Sequence, residues 1–206
     1  GIIIANPNAP TGLLLELNEI EEIIKTNLNN IVIIDEAYID FGGESAIKLI
    51  NKYNNLLVIQ TFSKSRSLAG MRLGFALGNK ELIKGLKNIK FSFNSYTINR
   101  LSILAGIEAF KDEEYFKESV SKIISTREKT KEELKKLDFK VLDSKSNFLF
   151  ISHNKVFAED IYLKLKEKGI LVRYFKKEII NNFIRVTIGT YEEMIIFINA
   201  LKEIIN

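Results

Sequence analysis

The chain has 206 residues, 46% hydrophobic and 27% charged, with one histidine, no cysteine and a formal net charge of +4. This is an ordinary globular balance for one large domain or two small ones, and it excludes a disulfide framework and a thiolate zinc site; no metal centre is expected. No apolar run approaches the roughly 18 residues a membrane span needs, and the lysines are interleaved with glutamates as on solvated helix faces, so neither membrane nor nucleic acid is expected as a partner.

Residues 2–5 are a short apolar strand. The chain opens on it without a charged flank or a cleavage site, so it does not read as a signal peptide. A strand buried on both faces needs neighbours, which suggests an N-terminally truncated piece of a longer protein. The loop Asn6-Pro7-Asn8-Ala9-Pro10-Thr11-Gly12 follows and holds both prolines of the chain. Residues 17–28 then predict a helix, with Asn18 as N-cap and Ile20, Ile23, Ile24 and Leu28 on one face.

The apolar strand 31–34 runs into Asp35-Glu36-Ala37-Tyr38. A short helix is predicted near 45–52, a strand over 56–60 running into Thr61-Phe62-Ser63-Lys64, and a strand over 73–77. Helices are predicted over 80–88, 98–110 and 114–136, with aromatic residues of 91–96 in an irregular segment. Beyond these come strands at 140–142 and 147–151, a helix at 158–168, strands at 170–174 and 183–188, and a closing helix at 191–205. His153 reads as a surface loop residue after its strand. Apolar strands separated by helices predict an α/β fold with a mainly parallel sheet. The expected domains are a partial large domain over 1–112, a long connecting helix over 113–136 and a small C-terminal α/β domain over 137–206.

Ligands of open parallel sheets bind beyond the carboxyl ends of the strands. The first three strands each end in a polar cluster: the Asn/Pro loop, Asp35 with Tyr38, and Ser63 with Lys64. Asp35 follows four apolar residues, so its carboxylate needs a cationic or hydrogen-bonding partner. A protonated pyridine nitrogen would serve; so would a helix cap or a nearby lysine. Small residues crowd Lys64 and leave room for a bulky group on its amine. Ser63 and Arg72 together could hold a phosphate through a hydroxyl and a charged fork. The plainer alternative for Lys64 is a solvent-facing side chain in a loop.

Segment 61–74 resembles the cofactor-lysine signature of fold type I pyridoxal-phosphate enzymes, in the form used by class II aminotransferases. Asn6 to Gly12 resembles their Asn-Pro-x-x-Pro-Thr-Gly loop, and Asp35 to Tyr38 their Asp-x-x-Tyr motif. Ser92-Phe93-Asn94-Ser95-Tyr96 with Asn99-Arg100-Leu101, the stretch Gly169-Ile170-Leu171-Val172-Arg173-Tyr174-Phe175, and Phe183-Ile184-Arg185-Val186-Thr187-Ile188-Gly189-Thr190 are similar to the histidinol-phosphate aminotransferase family.

The resemblance implies the cofactor pyridoxal 5'-phosphate, carried on Lys64 as a Schiff base, with Lys64 as the proton shuttle. Asp35 matches the aspartate on the pyridine nitrogen, Tyr38 the tyrosine on the ring oxygen, and Ser63 and Arg72 the phosphate ligands. Arg185 matches the arginine that grips the donor's acidic group, and Arg173 looks like a second anionic contact. Ala9 stands where many relatives have an asparagine on the ring oxygen, a role open to Asn8, to Asn6, or to Tyr38 alone. The implied reaction passes the amine of histidinol phosphate to 2-oxoglutarate, yielding imidazole acetol phosphate and glutamate, in a cytoplasmic homodimer. An aromatic aminotransferase, a threonine-phosphate decarboxylase and a non-catalytic fragment or regulator domain of the same fold are the competing readings.

Overall fold

The computed structural model describes residues 1–205, which divide into two compact units. The first comprises Gly1–Asn8 and Leu14–Ser119; the second comprises Ala9–Leu13 and the residues from Val120 onward.

In the first unit, β1 (Ile2–Ala5), β2 (Val32–Asp35), β3 (Leu56–Thr61) and β4 (Gly74–Gly78) form one sheet in chain order. The first two pairings are parallel, and the third is antiparallel. The reason is the connection. A parallel return needs a crossover element, but residues 62–73 form a wide hairpin loop instead, closed where Phe62 N–H donates to the Leu73 carbonyl at 3.1 Å. The loop that carries Lys64 is therefore the hairpin itself, and the sheet is mixed.

Helix α1 (Leu17–Thr26) packs Ile20 and Ile24 on Val32 and Ile34 of β2 and on Leu56 and Val58 of β3. Its cap is Glu16, whose N–H donates to Glu19 at 2.8 Å; Asn18 lies inside the helix, and Leu28 lies beyond its end and is exposed. The acceptor that Asn18 would supply comes from the Glu16–Glu19 capping box, whose cap lies two residues earlier. The segment expected as a helix near 45–52 is one 3-10 turn, Ala46–Leu49. Strand β1 is not buried on both faces: Ile3 is 74% exposed.

Helix α2 (Lys80–Phe93) starts at Asn79, whose side chain accepts from Glu81 N–H, and takes in Phe91 and Phe93; the irregular segment expected around 91–96 begins only at residue 94 and holds Tyr96. Helix α2 has no buried residue, and α3 (Arg100–Lys111) buries only Ser102 and Gly106. Helix α4 (Glu113–Lys136) carries the division between the units.

The second unit has an antiparallel sheet in the order β5 (Phe139–Val141), β6 (Phe148–His153), β8 (Ile184–Thr187), β7 (Arg173–Tyr174). Helices α5 (Ala158–Glu167) and α6 (Tyr191–Ile205) cover it, and Leu134, Leu149, Ile151, Ile161, Phe197 and Leu201 share its core. Gly12 belongs here. Its φ of +76° and a Ser144 Oγ that would lie 2.2 Å from any Cβ leave room for glycine only.

His153 corrects its sequence reading. It is the last residue of β6, 5% exposed, with its ring 4.8 Å from that of Phe139. Its Nδ1 accepts from Lys155 and Val156 N–H at 3.3 and 3.1 Å. The pairing of β6 with β5 extends the strand over a residue that looks like loop when only local polarity is weighed. Among the described residues there is no metal-ligating cluster and no helix long and apolar enough to cross a membrane.

Candidate functional site

The first unit brings the polar strand ends together. Asp35 closes β2 in register with Ala5 of β1 and Ile59 of β3, and its carbonyl accepts from Asn6 N–H at 2.8 Å. Successive strand residues face opposite sides of a sheet, so Asp35 and Glu36 part company. Glu36 joins the core face of Val32 and Ile34. It is 2% exposed and accepts from Ser45 Oγ, Ala46 N–H and Gln60 Nε2 at 2.6, 2.6 and 2.8 Å. Burial pushes its carboxyl above the ordinary carboxylate range, against those three donors.

Asp35, by contrast, is half-buried, and its side chain takes one hydrogen bond among the described residues, from Ala37 N–H to Oδ1 at 3.0 Å. Neither alternative for Asp35 holds: it caps no helix, and no lysine pairs with it among the described residues.

Lys64 is half-buried, and its Nζ lies 5.3 Å from the centre of the Tyr38 ring. It has no carboxylate partner among the described residues, so the amine rests on an aromatic face. Tyr38 reaches this place from the turn after β2, just before the 3-10 turn Ile39–Phe41. Ser63 Oγ accepts from the Thr61 hydroxyl at 2.9 Å, and Ser63 N–H donates to the same Thr61 oxygen at 3.1 Å. Buried Ser65 donates to Asp40 Oδ2 at 2.5 Å. Arg72 adopts a left-handed backbone, φ 55°, is exposed, and donates from Nη1 to the Ala69 carbonyl of its own loop at 3.0 Å. Nothing among the described residues joins Arg72 to Ser63.

The asparagines of the proline loop divide. Asn6 is 1% exposed, and its amide is engaged on both sides with the backbone of Leu15, accepting at 2.7 Å and donating at 3.0 Å. It braces the loop, and its burial turns both ends of the amide to the backbone. Asn8 is half-buried in the first unit.

Arg173 and Arg185 belong to the second unit, where they stand directly opposite each other on β7 and β8. Like charges opposed across an antiparallel pair are unfavourable unless an anion lies near. The salt bridges to neighbouring glutamates that would provide one are not present among the described residues. Arg185 instead lies 5.0 Å over the Phe148 ring, and its buried Nε has no hydrogen-bond partner; Arg173 lies 5.6 Å over Phe175. The 510 Å³ groove between α4 and α6, lined in part by Tyr191, Met194, Ile195 and Ile198, contains none of the candidate residues.

Sequence reasoning passed over Glu36, Asp40, Ser65 and Arg66. Only Glu36 carried a usable signal, because the period-2 pattern of 32–36 places it on the buried face.

Residues 1–201 match the family model described as Aminotransferase class I and II. The chain is 74% identical over all 206 residues to a curated histidinol-phosphate aminotransferase of Brachyspira hyodysenteriae, and covers 58% of it. The crystal structure of the histidinol-phosphate aminotransferase from Clostridium acetobutylicum matches with a TM-score of 0.91 and 30% identity, over 99% of this chain and 63% of that one. The histidinol-phosphate aminotransferase from Sinorhizobium meliloti, in complex with pyridoxal-5'-phosphate, matches with a TM-score of 0.89 and 26% identity, over 98% of this chain and 56% of that one. The chain thus spans 58% of the length of the curated relatives it matches.

Proposed function

The chain belongs to the class I and II aminotransferases, and from that premise we propose that the whole protein is a pyridoxal-phosphate-dependent aminotransferase that moves the amine of histidinol phosphate to 2-oxoglutarate in histidine biosynthesis. The observation that carries the reading is an amine without a carboxylate partner, Lys64 Nζ, set over Tyr38 beyond the carboxyl end of the strand beside Asp35. Its likeness to relatives named for histidinol phosphate supports the choice of donor. A cytoplasmic homodimer is part of the proposal.

The residues present fit the cofactor. Asp35 has an oxygen to spare, Lys64 has an unpaired amine, and the buried Nε of Arg185 is orphaned. When bound, the cofactor supplies an electron sink for the negative charge that develops at the substrate carbon. The Asp35 carboxylate would accept the pyridine N–H and keep that nitrogen protonated. The Tyr38 hydroxyl donates to the ring oxygen, with Asn8 as the neighbouring amide. Ser63 and Arg72 would hold the phosphate. Lys64 would hold the cofactor covalently. With its Nζ free, the same side chain would serve as the base that takes the proton from the substrate carbon. Arg185 and Arg173 bind the acidic groups of histidinol phosphate and glutamate in turn, because both ligands are anionic.

Steady-state kinetics of the full-length protein tests this. Histidinol phosphate should be the best donor with 2-oxoglutarate as acceptor. A far better rate with phenylalanine or tyrosine would assign an aromatic aminotransferase, and carbon dioxide release from threonine phosphate would assign a decarboxylase.

A further inference from the structure

Arg66 lies two positions past Lys64 in the β3–β4 hairpin loop; the far end of the loop is held to α3 where Ser102 Oγ donates to the Met71 carbonyl at 3.1 Å, and the end that carries Lys64 is held through the Arg66 side chain. Its guanidinium carbon lies 3.7 Å from the centre of the Phe116 ring and 5.4 Å from that of Phe110. Nη1 donates to the Ala109 carbonyl at 2.8 Å, and Nη2 donates to Glu113 Oε1 at 3.0 Å. The side chain is 14% exposed, and its hydrogen bond holds the Glu113 carboxyl below the ordinary range.

Ala109 lies in the last turn of α3, where carbonyls lack an intrahelical acceptor role and the helix end is negative. Glu113 and Phe116 lie in the first turn of α4. One planar cation therefore stacks, caps one helix and pairs with the start of the next, a combination suited to arginine and not to lysine. Between Lys64 and Arg66, Ser65 donates to Asp40, two residues after Tyr38. Lys64 is thus followed at once by two anchored residues, while its own amine, among the described residues, faces the Tyr38 ring.

We propose that Arg66 is a positioning residue for Lys64: by locking the hairpin loop onto the α3–α4 junction, it sets where the Lys64 amine stands relative to Tyr38 and Asp35. The proposal rests on the reading of Lys64 as the cofactor lysine. Its physical basis is that a displacement of about 1 Å in a reacting group can cost on the order of 100-fold in rate.

The test uses cofactor-free full-length protein mixed with pyridoxal 5'-phosphate. Borohydride-trapped label on the Lys64 peptide is followed in time at several pH values. Arg66→Met is expected to slow labelling on the order of 10- to 100-fold, by the same factor at every pH. Arg66→Lys is expected to be nearly as slow. Ile24→Val, which thins the core of the same unit, is expected to keep the wild-type rate, so that a general loss of stability is distinguished from misplacement. In turnover, Arg66→Met should lower kcat and leave KM unchanged. If the wild-type protein is not labelled at Lys64, the cofactor reading falls and this proposal with it. If Lys64 is labelled and Arg66→Met reacts as fast as wild type, the cofactor reading stands and the positioning role is overturned. Recovery of the wild-type rate by Arg66→Lys, or a shifted pH midpoint with an unchanged plateau, would show that Arg66 acts through its charge and would also overturn it. Should Arg66→Met fail to fold, Phe116→Leu removes the ring against the guanidinium, and a wild-type labelling rate in that variant overturns the proposal.

Discussion

The two units place their functional candidates in opposite ways. In the first, Asp35, Tyr38 and Lys64 stand at or beyond the carboxyl ends of strands, held by loops that fold back on one another. In the second, Arg173 and Arg185 stand within a pair of antiparallel strands, held by the sheet itself. Their packing contrasts as well. Helix α6 of the second unit buries Met194, Phe197, Ile198, Ala200, Leu201 and Ile204, whereas α2 of the first buries nothing, and Ile89, Phe93 and Leu101 of 80–111 are exposed. A loop site depends on anchors distant in sequence, and a sheet site depends on register. An apolar helix face contributes to stability only where a surface covers it.

The largest expected effect tests the loop site. Asp35→Asn in the full-length protein should leave it folded and able to take cofactor on Lys64, but lower kcat on the order of 10³-fold, because an amide cannot stabilise a protonated pyridine. Near-normal turnover would show that the ring nitrogen has another partner.

The packing contrast is sharpened by three alanine variants. Ile24→Ala and Leu201→Ala, both at fully buried positions, should each cost about 2–5 kcal/mol of unfolding free energy. Leu101→Ala, at a residue 74% exposed, should change it by no more than about 0.5 kcal/mol in the chain described here. Urea titrations measure all three, and a large loss at Leu101 would reveal a surface that covers α3.

The sheet site is tested by Arg185→Ala. Loss of a charged hydrogen-bonding partner should raise KM for histidinol phosphate and for glutamate by about 10- to 100-fold, corresponding to about 1.5–3 kcal/mol. Borohydride labelling of Lys64 should be unchanged. A rise for one ligand alone would divide the two arginines between the two half-reactions.

The smallest effect concerns the buried carboxyl behind Asp35. Burial raises the Glu36 pKa in the folded state. A group with a raised folded pKa contributes stability that is complete below its unfolded pKa and is lost as pH rises through the folded value. Stability of the wild type should therefore decline from mildly acidic toward neutral pH over that window, and Glu36→Gln should flatten the decline. Chemical denaturation across pH measures it; an unchanged slope would assign the decline to other groups.

Much was legible before any coordinates. Periodicity placed most helices and strands, and the polar residues after three apolar strands marked Asp35, Tyr38, Ser63 and Lys64, because strand alternation and strand-end polarity are local properties. The single histidine was misplaced, since its burial depends on β5 and on the Phe139 ring, neither of which is signalled at position 153. The antiparallel return of β4 was missed because the sheet's direction depends on how residues 62–73 close, not on the strand's own composition.

The sequence by itself determined the chemical groups on offer and the order in which strands present them, since residue type and spacing are fixed by the chain. Only the tertiary structure decided which of them remain available. Asn6 is turned to Leu15 and Glu36 to Ser45, Ala46 and Gln60, while among the described residues Asp35 keeps an oxygen and Arg185 an N–H without a partner. The physical reason is that hydrogen-bond satisfaction is a property of neighbours brought together from distant parts of the chain. The anchoring of Lys64 by Arg66 is of the same kind: its partners lie at 109–116, and no local pattern around residue 66 specifies them.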